Sequence, residues 1–255
     1  MKVKLPDYYD DPQYNYQQYW KNRQYENESE KIALNRLLDL IPQKGTIADL
    51  GAGFGRLAPA YAPKFDQCFL LDPSQKMLRQ AKSYCQRLNN ISLARGCLEN
   101  IPLASASIDT ALIVRTVHHC PNLSRSFTEI SRILKQGGYL ILEFPNTVHI
   151  KNTLKHILHG QPIKHFTKRK NLASGNNVPF FNYHPKYVAK LLRDNQLAIL
   201  KTLSVSNLRG SIFKKIIGSK NLLTIEKITQ PLLAKIYFGP SIFILAQKQK
   251  QPSKT

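Results

Sequence analysis

Short apolar runs alternate with amphipathic stretches through most of the chain. The run 108–114 is almost entirely apolar, which is typical of a strand buried on both faces of a parallel sheet. Between such runs, apolar residues recur at the three- and four-residue spacing of a helix face. This alternation predicts an α/β fold with a doubly wound, Rossmann-like sheet and helices on both faces. The predicted strands are 46–50, 67–71, 91–94, 108–114, 139–144, 197–205 and 241–247.

Local signals predict where the helices begin and end. Asp72-Pro73-Ser74 is a typical helix start, with Ser74 or Asp72 as the N-cap and the proline in the first turn. Gly137-Gly138 is typical of a helix end. The predicted helices are 26–41, 56–64, a helix that follows Ser74 and includes Met77 to Leu88, 122–135, 150–158, a helix that begins at His184-Pro185, and further helices within 207–240.

The segment from Ile47 to Gly55 reads I-A-D-L-G-A-G-F-G, a short strand that runs into three glycines. Such a turn can approach a ligand closely, and the helix after it offers unpaired amides and the positive end of its dipole. A dinucleotide site would have its third glycine three residues after the second, but Arg56 stands there. Asp49, ahead of the turn, can reach a ligand ammonium or brace the loop. The spacing therefore favours a cofactor that carries an amino acid.

Several motifs follow this turn in order: L-L-D-P-S-Q-K-M-L at 70–78, E-N-I-P-L at 99–103, S-I-D at 107–109 and L-K-Q-G-G-Y-L at 134–140. With the glycine turn they cover about residues 45–145. Together they resemble the class I S-adenosylmethionine-dependent methyltransferases, in the type 11 group that includes ubiquinone and menaquinone biosynthesis enzymes. The resemblance implies a seven-stranded sheet that is mostly parallel, with its last strand antiparallel, and S-adenosylmethionine as the cofactor.

The resemblance also assigns roles in the cofactor site. Asp49 and the three glycines would cradle the methionine part and the sugar, and Asp72 would accept hydrogen bonds from the ribose hydroxyls, unless it is only a helix N-cap. Met77 would line the adenine edge or pack in the core. Cys97 stands where the family often has an acid for the adenine amino group, so Glu99 or the Leu98 amide would replace it. The expected cofactor-binding residues are Asp49, Gly51, Ala52, Gly53, Gly55, Asp72, Pro73, Met77, Cys97, Leu98, Glu99, Arg115, Tyr16, Tyr19, Trp20 and Arg23.

The last four of these belong to an aromatic N-terminal segment. The first 25 residues contain six tyrosines and the only tryptophan. Tyr16, Tyr19 and Trp20 are candidates for a lid that meets the sulfonium by cation–π attraction. Arg23 is a candidate partner of the methionine carboxylate. The alternative is a helix that simply packs on the sheet.

Methyl transfer from a sulfonium is an in-line displacement, so the enzyme chiefly has to align the reacting groups and exclude water. A general base is needed when the acceptor is a hydroxyl or an enol carbon. His118 and His119, just after the fourth strand, are the catalytic candidates. The alternative is that they cap the next helix or pack under an insertion.

The formal charge of +21 is unevenly distributed. Residues 1–143 carry 18 lysines and arginines against 14 acids, whereas residues 144–255 carry 19 against only Asp194 and Glu226. The densest cluster is K-H-F-T-K-R-K at 164–170. Such a surface suits RNA, an anionic membrane face or an acidic small substrate. The alternative is a compositional drift without a partner.

Composition restricts the class of protein further. No apolar run approaches the roughly 20 residues that span a bilayer, and the N-terminus has no signal-like apolar segment. The four cysteines are scattered, which favours reduced structural thiols over a metal or redox site. We therefore expect a cytoplasmic protein without a metal, with peripheral contact at the inner membrane face as a further option.

We expect one folded unit over residues 1–255. Its parts would be an N-terminal helical lid at 1–44, a cofactor-binding core at 45–145, and remaining core at 182–206 and 241–248. The basic insertions at 146–181 and 207–240 would form the acceptor region. The predicted function is methyl transfer from S-adenosylmethionine to a small-molecule, lipid or quinone-like acceptor. Alternatives are an RNA methyltransferase, a cofactor-binding protein without turnover and, more distantly, a dinucleotide oxidoreductase.

Overall fold

The computed structural model describes residues 9–11, 15–120, 122–159, 168–172 and 179–249. Nine strands alternate with helices over these ranges. Seven of them form the central sheet, and the other two form a separate hairpin. The strands are β1 (Thr46–Leu50), β2 (Gln67–Asp72), β3 (Ile91–Arg95), β4 (Ile108–Ile113), β5 (Leu134–Pro145), β6 (Lys168–Leu172), β7 (Pro179–Tyr183), β8 (Leu197–Val205) and β9 (Ser241–Lys248).

The central sheet has the strand order β3-β2-β1-β4-β5-β9-β8. Its first five strands pair in parallel, whereas β9 is antiparallel to both β5 and β8. The order reverses at β1, so that β1 and β4 are neighbours with crossovers leading away in opposite directions. Ligands of such sheets bind at the carboxyl ends of the strands near this point. The predicted seven-stranded sheet with an antiparallel last strand is confirmed.

Helices cover both faces of the sheet. Adjacent residues of β4 point to opposite sides: Ile113 belongs to the buried cluster that contains Phe127, whereas Leu112 belongs to the one that contains Leu34. This alternation is the physical basis of the two-layered core. The helices are α1 (Tyr16–Lys21), α2 (Gln24–Leu38), α3 (Ala58–Tyr61), α4 (Gln75–Tyr84), α5 (Leu123–Ile133), α6 (Ile150–Leu158), α7 (Pro185–Asp194), α8 (Ser211–Ile217) and α9 (Ser219–Leu233).

Several predicted helix boundaries differ from the structure. Helix α2 ends at Leu38 rather than at residue 41, and α4 ends at Tyr84 and does not include Leu88. The helix after the glycine turn is α3, four residues long and followed by a 3₁₀ turn at Ala62–Lys64. The α-helix after the turn is therefore much shorter than the predicted helix 56–64, and its dipole is correspondingly weaker. Helix α5 ends at Ile133, and β5 begins at Leu134, so Gly137-Gly138 lies within a strand rather than at a helix end.

The two basic regions fold differently from a simple insertion. In the first, β6 and β7 pair as an antiparallel hairpin after α6. Residues 164–167 of the basic cluster lie outside the described residues. In the second, α9 packs on α2, and the buried carboxylate of Glu226 accepts hydrogen bonds from the Tyr25 hydroxyl at 2.8 Å and the Ser206 N–H at 2.7 Å. Across the described ranges, every helix is too short or too polar to span a bilayer.

Candidate functional site

The turn after β1 has a left-handed backbone at three positions. Gly51, Gly53 and Gly55 have φ angles of +82°, +58° and +78°, a region that side chains disfavour. Gly51 also lacks room, because an added Cβ would lie 2.3 Å from the Thr116 side chain. The Gly51 N–H donates to the Leu71 carbonyl at 2.7 Å. These contacts hold the turn against the carboxyl end of β2.

Asp72, the last residue of β2, is bonded to the turn itself. Its Oδ2 accepts the Gly53 N–H at 2.8 Å, and its Oδ1 accepts the Ser74 N–H at 2.9 Å. Burial raises the pKa of Asp72 to about 6, although these two hydrogen bonds oppose the shift. Because each carboxylate oxygen can accept two hydrogen bonds, acceptor capacity remains for a ligand above the turn. The neighbouring Pro73 carbonyl accepts the Arg95 Nε–H at 2.8 Å.

Asp49 lies inside β1 and is buried. Its Oδ2 accepts the Tyr61 hydroxyl at 2.8 Å. Burial raises the pKa of Asp49 to about 7, while Tyr61 and Arg56 lower it. The Ala52 N–H donates to the Leu71 carbonyl at 2.9 Å. These contacts support the bracing role for Asp49 over contact with a ligand ammonium, because its carboxylate joins β1 to α3.

The predicted adenine side lies in the segment after β3. Cys97 is half-buried and forms an isolated β-bridge, whereas Leu98 and Met77 are buried. The Glu99 Oε1 accepts the Asn122 N–H at 3.3 Å, which directs this carboxylate toward the start of α5. Contacts of Cys97, Leu98, Glu99 and Met77 with the adenine ring stay predictions.

Helix α1 lies over the glycine turn. The Tyr16 ring packs edge-on against Phe54, with 5.9 Å between ring centroids, and an added Cβ at Gly53 would lie 3.4 Å from the same tyrosine. The Trp20 ring lies beneath the Arg56 guanidinium, 3.6 Å from its central carbon. Two of the four lid candidates therefore contact the turn or the residue that follows it.

The other two lid candidates extend this aromatic stack. Tyr19 stacks on Tyr16, with 5.8 Å between centroids, and the Arg23 guanidinium lies 4.3 Å from the Tyr19 ring. Arg23 also occupies the N-cap position of α2. A contact of Arg23 with the methionine carboxylate stays a prediction.

Residues 9–11 form a short strap across the same edge of the sheet. The Asp10 Oδ1 accepts the Ser74 hydroxyl at 2.6 Å and the Lys76 N–H at 3.0 Å, which fixes the strap to the start of α4. Tyr9 is hydrogen-bonded through its hydroxyl to the His119 Nε2 at 2.7 Å. The strap therefore connects the Asp72 side of the site to the end of β4.

A buried ionic network connects α2 to the turn. The Glu30 carboxylate accepts hydrogen bonds from Arg56 Nη2 at 2.5 Å and from Arg115 Nε at 2.7 Å. Burial alone would raise the pKa of Glu30, but the two guanidiniums outweigh it and hold the pKa below its ordinary value. Arg115 has a left-handed backbone with φ of 60°, and its N–H donates to Glu143 Oε2 at 2.8 Å. This network fixes two arginines beside the turn and β4.

The two candidate histidines differ in environment. His118 is buried between His119 and Phe180, at ring distances of 4.0 and 4.4 Å. Burial, with the nearby His119 and Arg115, holds the pKa of His118 well below its ordinary value, so it is neutral at physiological pH. His119 is half-buried and is bonded to Tyr9.

A cavity of about 510 Å³ opens beside this network. It lies at the carboxyl ends of β4, β5 and β8 and at the start of β9, on the edge of the sheet that carries the turn. Its volume is within the usual range of small-molecule sites. The lining residues are Arg115, Glu143, Pro145, Asn146, His149, Asn152, Lys155, Phe180, Asn182, Ser206, Arg209, Pro240 and Ser241.

Comparison with known families identifies the type of domain that carries this edge of the sheet. Residues 48–142 match the family model described as a methyltransferase domain. These residues include the glycine turn, Asp72 and the strand that precedes the cavity. The chain contains a class I S-adenosylmethionine-dependent methyltransferase domain of the type 11 group.

Curated relatives match over the same part of the chain. The uncharacterized methyltransferase YcgJ of Bacillus subtilis is 30% identical over 98 residues, which are 38% of this chain and 39% of YcgJ. The ubiquinone/menaquinone biosynthesis C-methyltransferase UbiE of Rubrivivax gelatinosus is 35% identical over 107 residues, 40% of this chain and 41% of that protein. The malonyl-[acyl-carrier protein] O-methyltransferase of Methylococcus capsulatus is 32% identical over 101 residues, 39% and 37% of the two chains. The matches thus span only about two fifths of these relatives.

Solved structures extend the likeness to the whole methyltransferase fold. The structure of YcgJ from Bacillus subtilis aligns with a TM-score of 0.58 at 17% identity, over 87% of this chain and 99% of YcgJ. The Burkholderia thailandensis 1,6-didemethyltoxoflavin-N1-methyltransferase, solved with S-adenosylhomocysteine, aligns with a TM-score of 0.61 at 13% identity, over 92% and 82% of the two chains. At these identities the likeness concerns the fold alone.

The methyltransferase site has a donor and acceptor set that fits S-adenosylmethionine. Asp72 offers a buried carboxylate that accepts two backbone N–H groups and keeps spare acceptor capacity, as a ribose diol needs. The backbone of the glycine turn lies beside this carboxylate. The hydroxyl groups of a ligand bound here would donate to the remaining acceptor positions of Asp72.

Several residues of this site escaped the sequence analysis. Asp10 and Tyr9 contact site residues that are distant from them in sequence, and no local sequence pattern predicts such contacts. Glu30 did carry a signal, because it lies three residues before Ala33 and seven before Leu37 on the buried face of α2. An acid on an apolar helix face indicates a buried partner, here Arg56 and Arg115.

Proposed function

We propose that the protein transfers the methyl group of S-adenosylmethionine to a small-molecule or lipid acceptor. One contact supports this most directly: the Gly53 N–H donates to the Asp72 carboxylate at 2.8 Å, so the turn and the acid lie side by side and would contact the same ligand. The family match over residues 48–142 supports the same cofactor.

S-adenosylmethionine supplies an electrophilic methyl group on a sulfonium. The chain therefore has to hold the cofactor, align it with the acceptor and exclude water. Asp72 would accept the ribose hydroxyls, and the turn would bring its backbone close to the ligand. Tyr16 and Trp20 of α1, with the strap, would cover the cleft and exclude water. Their aromatic faces suit a sulfonium cation.

The acceptor would enter the cavity beside Arg115. By their names, two curated relatives differ in what they methylate: one is an O-methyltransferase of malonyl-[acyl-carrier protein], and the other is a C-methyltransferase of ubiquinone and menaquinone biosynthesis. For an acceptor that needs deprotonation, we propose His119 over His118 as the base, because His118 is enclosed between His119 and Phe180 and its lowered pKa makes it the weaker base. An acceptor that is already ionised requires no base.

Calorimetry with S-adenosylhomocysteine tests the cofactor part of the proposal. We expect Asp72→Asn to weaken binding by roughly 10- to 150-fold, because each charge-assisted hydrogen bond contributes roughly 1.5–3 kcal/mol. Asp66→Asn is the matched control, since Asp66 is an exposed acid just before the other end of β2. A parent protein that does not bind, or equal affinities for both variants, would remove the proposed cofactor site.

A separate assay distinguishes transfer from binding alone. A chain that binds S-adenosylhomocysteine but never turns over S-adenosylmethionine with acceptor extracts would be the binding protein of the alternative hypothesis. Filter binding to RNA across a salt series tests the RNA methyltransferase alternative. Steeply salt-dependent, tight binding would favour it, because phosphate contacts release counterions.

We also propose that the end of α9 and the 3₁₀ turn that follows it (Ala234–Ile236) contact an anionic membrane. Ile228 and Leu232 of α9 and Ile236 of the turn are each more than half exposed, and Lys227 and Lys235 precede two of them in the chain. Apolar side chains beside lysines complement an anionic lipid surface better than they complement RNA.

Cosedimentation with lipid vesicles tests this contact. We expect binding to vesicles of phosphatidylglycerol but not of phosphatidylcholine, and we expect Leu232→Ser to reduce it. Leu40→Ser, at another exposed leucine, is the control. Equal binding of the two variants, or competition by RNA instead of lipid, would count against a membrane partner.

A further inference from the structure

The cavity described above has an unusual balance of charge. Its lining includes three cationic side chains, Arg115, Lys155 and Arg209, against one carboxylate, Glu143. Only charged groups that are not already paired within the protein attract a ligand strongly. Groups in ion pairs or buried hydrogen bonds are therefore left out of the comparison.

Two of these four groups are already engaged. Arg115 is paired with the buried Glu30 at 2.7 Å. Both oxygens of Glu143 accept hydrogen bonds, Oε2 from the Arg115 N–H at 2.8 Å and Oε1 from the Ser241 hydroxyl at 2.6 Å. Burial, together with Glu30, raises the pKa of Glu143, whereas Arg115 and the Ser241 hydroxyl oppose this shift.

The other two cations have no acidic partner within hydrogen-bond distance among the described residues. Arg209 and Lys155 reach the cavity from different elements, the segment after β8 and helix α6, and both are exposed. The surroundings of the nearby His149 reflect the excess charge. Burial, Arg209 and Lys151 lower its pKa to about 4, so this imidazole is neutral and adds no charge of its own.

Ser206 supplies an independent sign of a ligand. It lines the cavity, is only 2% exposed, and its hydroxyl has no hydrogen-bond partner within the described ranges. Its φ of 60° is strained for a residue with a side chain. Since a buried hydroxyl without a partner is costly, a ligand oxygen at this place would compensate for both features.

We propose that this cavity binds an anionic group of the methyl acceptor, a carboxylate or a phosphate. Arg209 and Lys155 supply the charge, and the Ser206 hydroxyl donates a hydrogen bond. The assignment of this anion to the methyl acceptor rests on the proposed function. Binding of an anion in the cavity does not depend on methyl transfer. Arg209 suits the role because a guanidinium can bind either anion with two parallel hydrogen bonds.

Calorimetric titration with two probes, inorganic phosphate and succinate, tests the site. Both are titrated at constant ionic strength, with and without S-adenosylhomocysteine, into the parent chain and into the Arg209→Gln, Lys155→Gln and Ser206→Ala variants. Arg193→Gln is the matched control, because Arg193 is exposed on α7, is not part of the cavity lining and carries the same charge. It measures how much a basic surface binds without a defined site.

We expect saturable binding of at least one probe. Arg209→Gln or Lys155→Gln should weaken it by about tenfold or more, Ser206→Ala by less, and Arg193→Gln by less than twofold. Preference for phosphate would identify a phosphorylated acceptor, and preference for succinate a carboxylated one. Binding that does not saturate, or that falls equally in the Arg193→Gln control, would overturn the anion site. If S-adenosylhomocysteine binds and neither anion does, only this inference fails; if the anion binds and the cofactor product does not, only the proposed function fails.

Discussion

Replacing Glu30 by glutamine should strongly destabilise the protein. The Glu30 side chain is 0% exposed, and its carboxylate lies 2.5 Å from Arg56 Nη2 and 2.7 Å from Arg115 Nε. The amide keeps the shape but removes the only negative charge that both guanidiniums contact directly among the described residues. Truncating one partner of a buried ion pair typically costs about 3–5 kcal/mol. Against a total of roughly 5–15 kcal/mol for a folded domain, that loss is large.

The same helix provides a matched control. Glu28 forms an ion pair with Lys31 at 2.8 Å, but their side chains are 44% and 34% exposed. Exposed pairs of this kind contribute only about 0–1 kcal/mol. Guanidinium chloride unfolding at pH 7, followed by circular dichroism, should therefore separate Glu30→Gln from Glu28→Gln by at least about 2 kcal/mol. Free energies of unfolding within about 1 kcal/mol of each other would refute the importance assigned to the network.

The pH dependence gives a second check on the same reasoning. Because the folded protein holds the pKa of Glu30 below its ordinary value, the stabilisation is present above the unfolded pKa. It is lost as the pH falls through the lower folded pKa. The difference in unfolding free energy between the parent and Glu30→Gln should consequently persist at pH 6 and shrink only in acid. A difference that grows toward low pH would contradict the assignment.

Three further predictions concern the cofactor site. Since burial raises the pKa of Asp72 to about 6, S-adenosylhomocysteine affinity measured by calorimetry should be constant above pH 7 and fall by up to about tenfold per unit below pH 6; a flat profile from pH 5 to 8 would argue against an ionised Asp72. Gly51→Ala should cost at least about 1 kcal/mol more in chemical unfolding than Gly218→Ala, because both have positive φ but only the first would meet Thr116 at 2.3 Å; equal losses would contradict this. Ser74→Ala should cost at least about 1 kcal/mol in the same assay, because it removes the cap of α4, whose Met77 N–H it accepts at 3.1 Å, and the hydrogen bond to Asp10 at 2.6 Å; no measurable loss would show that both contacts are dispensable.

The central part of the fold was predictable because its signals are local. Most strands of the central sheet are short runs rich in apolar residues, and the turn at Gly51 and the cap at Ser74 are short motifs. The resemblance assigned Gly53 and Asp72 to one cofactor site, and both lie at the carboxyl ends of neighbouring parallel strands, but the hydrogen bond between them was not predicted. Physical chemistry of short segments is sufficient for this much.

What sequence reasoning missed depends on contacts between distant segments. The β6–β7 hairpin contains a basic strand without apolar alternation, so its pairing with β7 could not be read from Lys168–Leu172. The end of α5 was placed too late, because the strand pairing of Leu134 prevailed over the glycines as a helix end. The cavity combines residues after β4, β5 and β8 with α6, and its unpaired Ser206 hydroxyl is visible only when they are brought together.

The most direct test of methyl transfer is a label-transfer experiment. The purified chain is incubated with S-adenosylmethionine labelled at the methyl group and a lysate of the cells that produce the protein, which is then separated into lipid, small-molecule, protein and RNA pools. The account predicts label in the small-molecule or lipid pool that depends on Asp72 and is retained by Asp66→Asn. Label that enters only RNA, or no transfer by a chain that binds the cofactor, would contradict it.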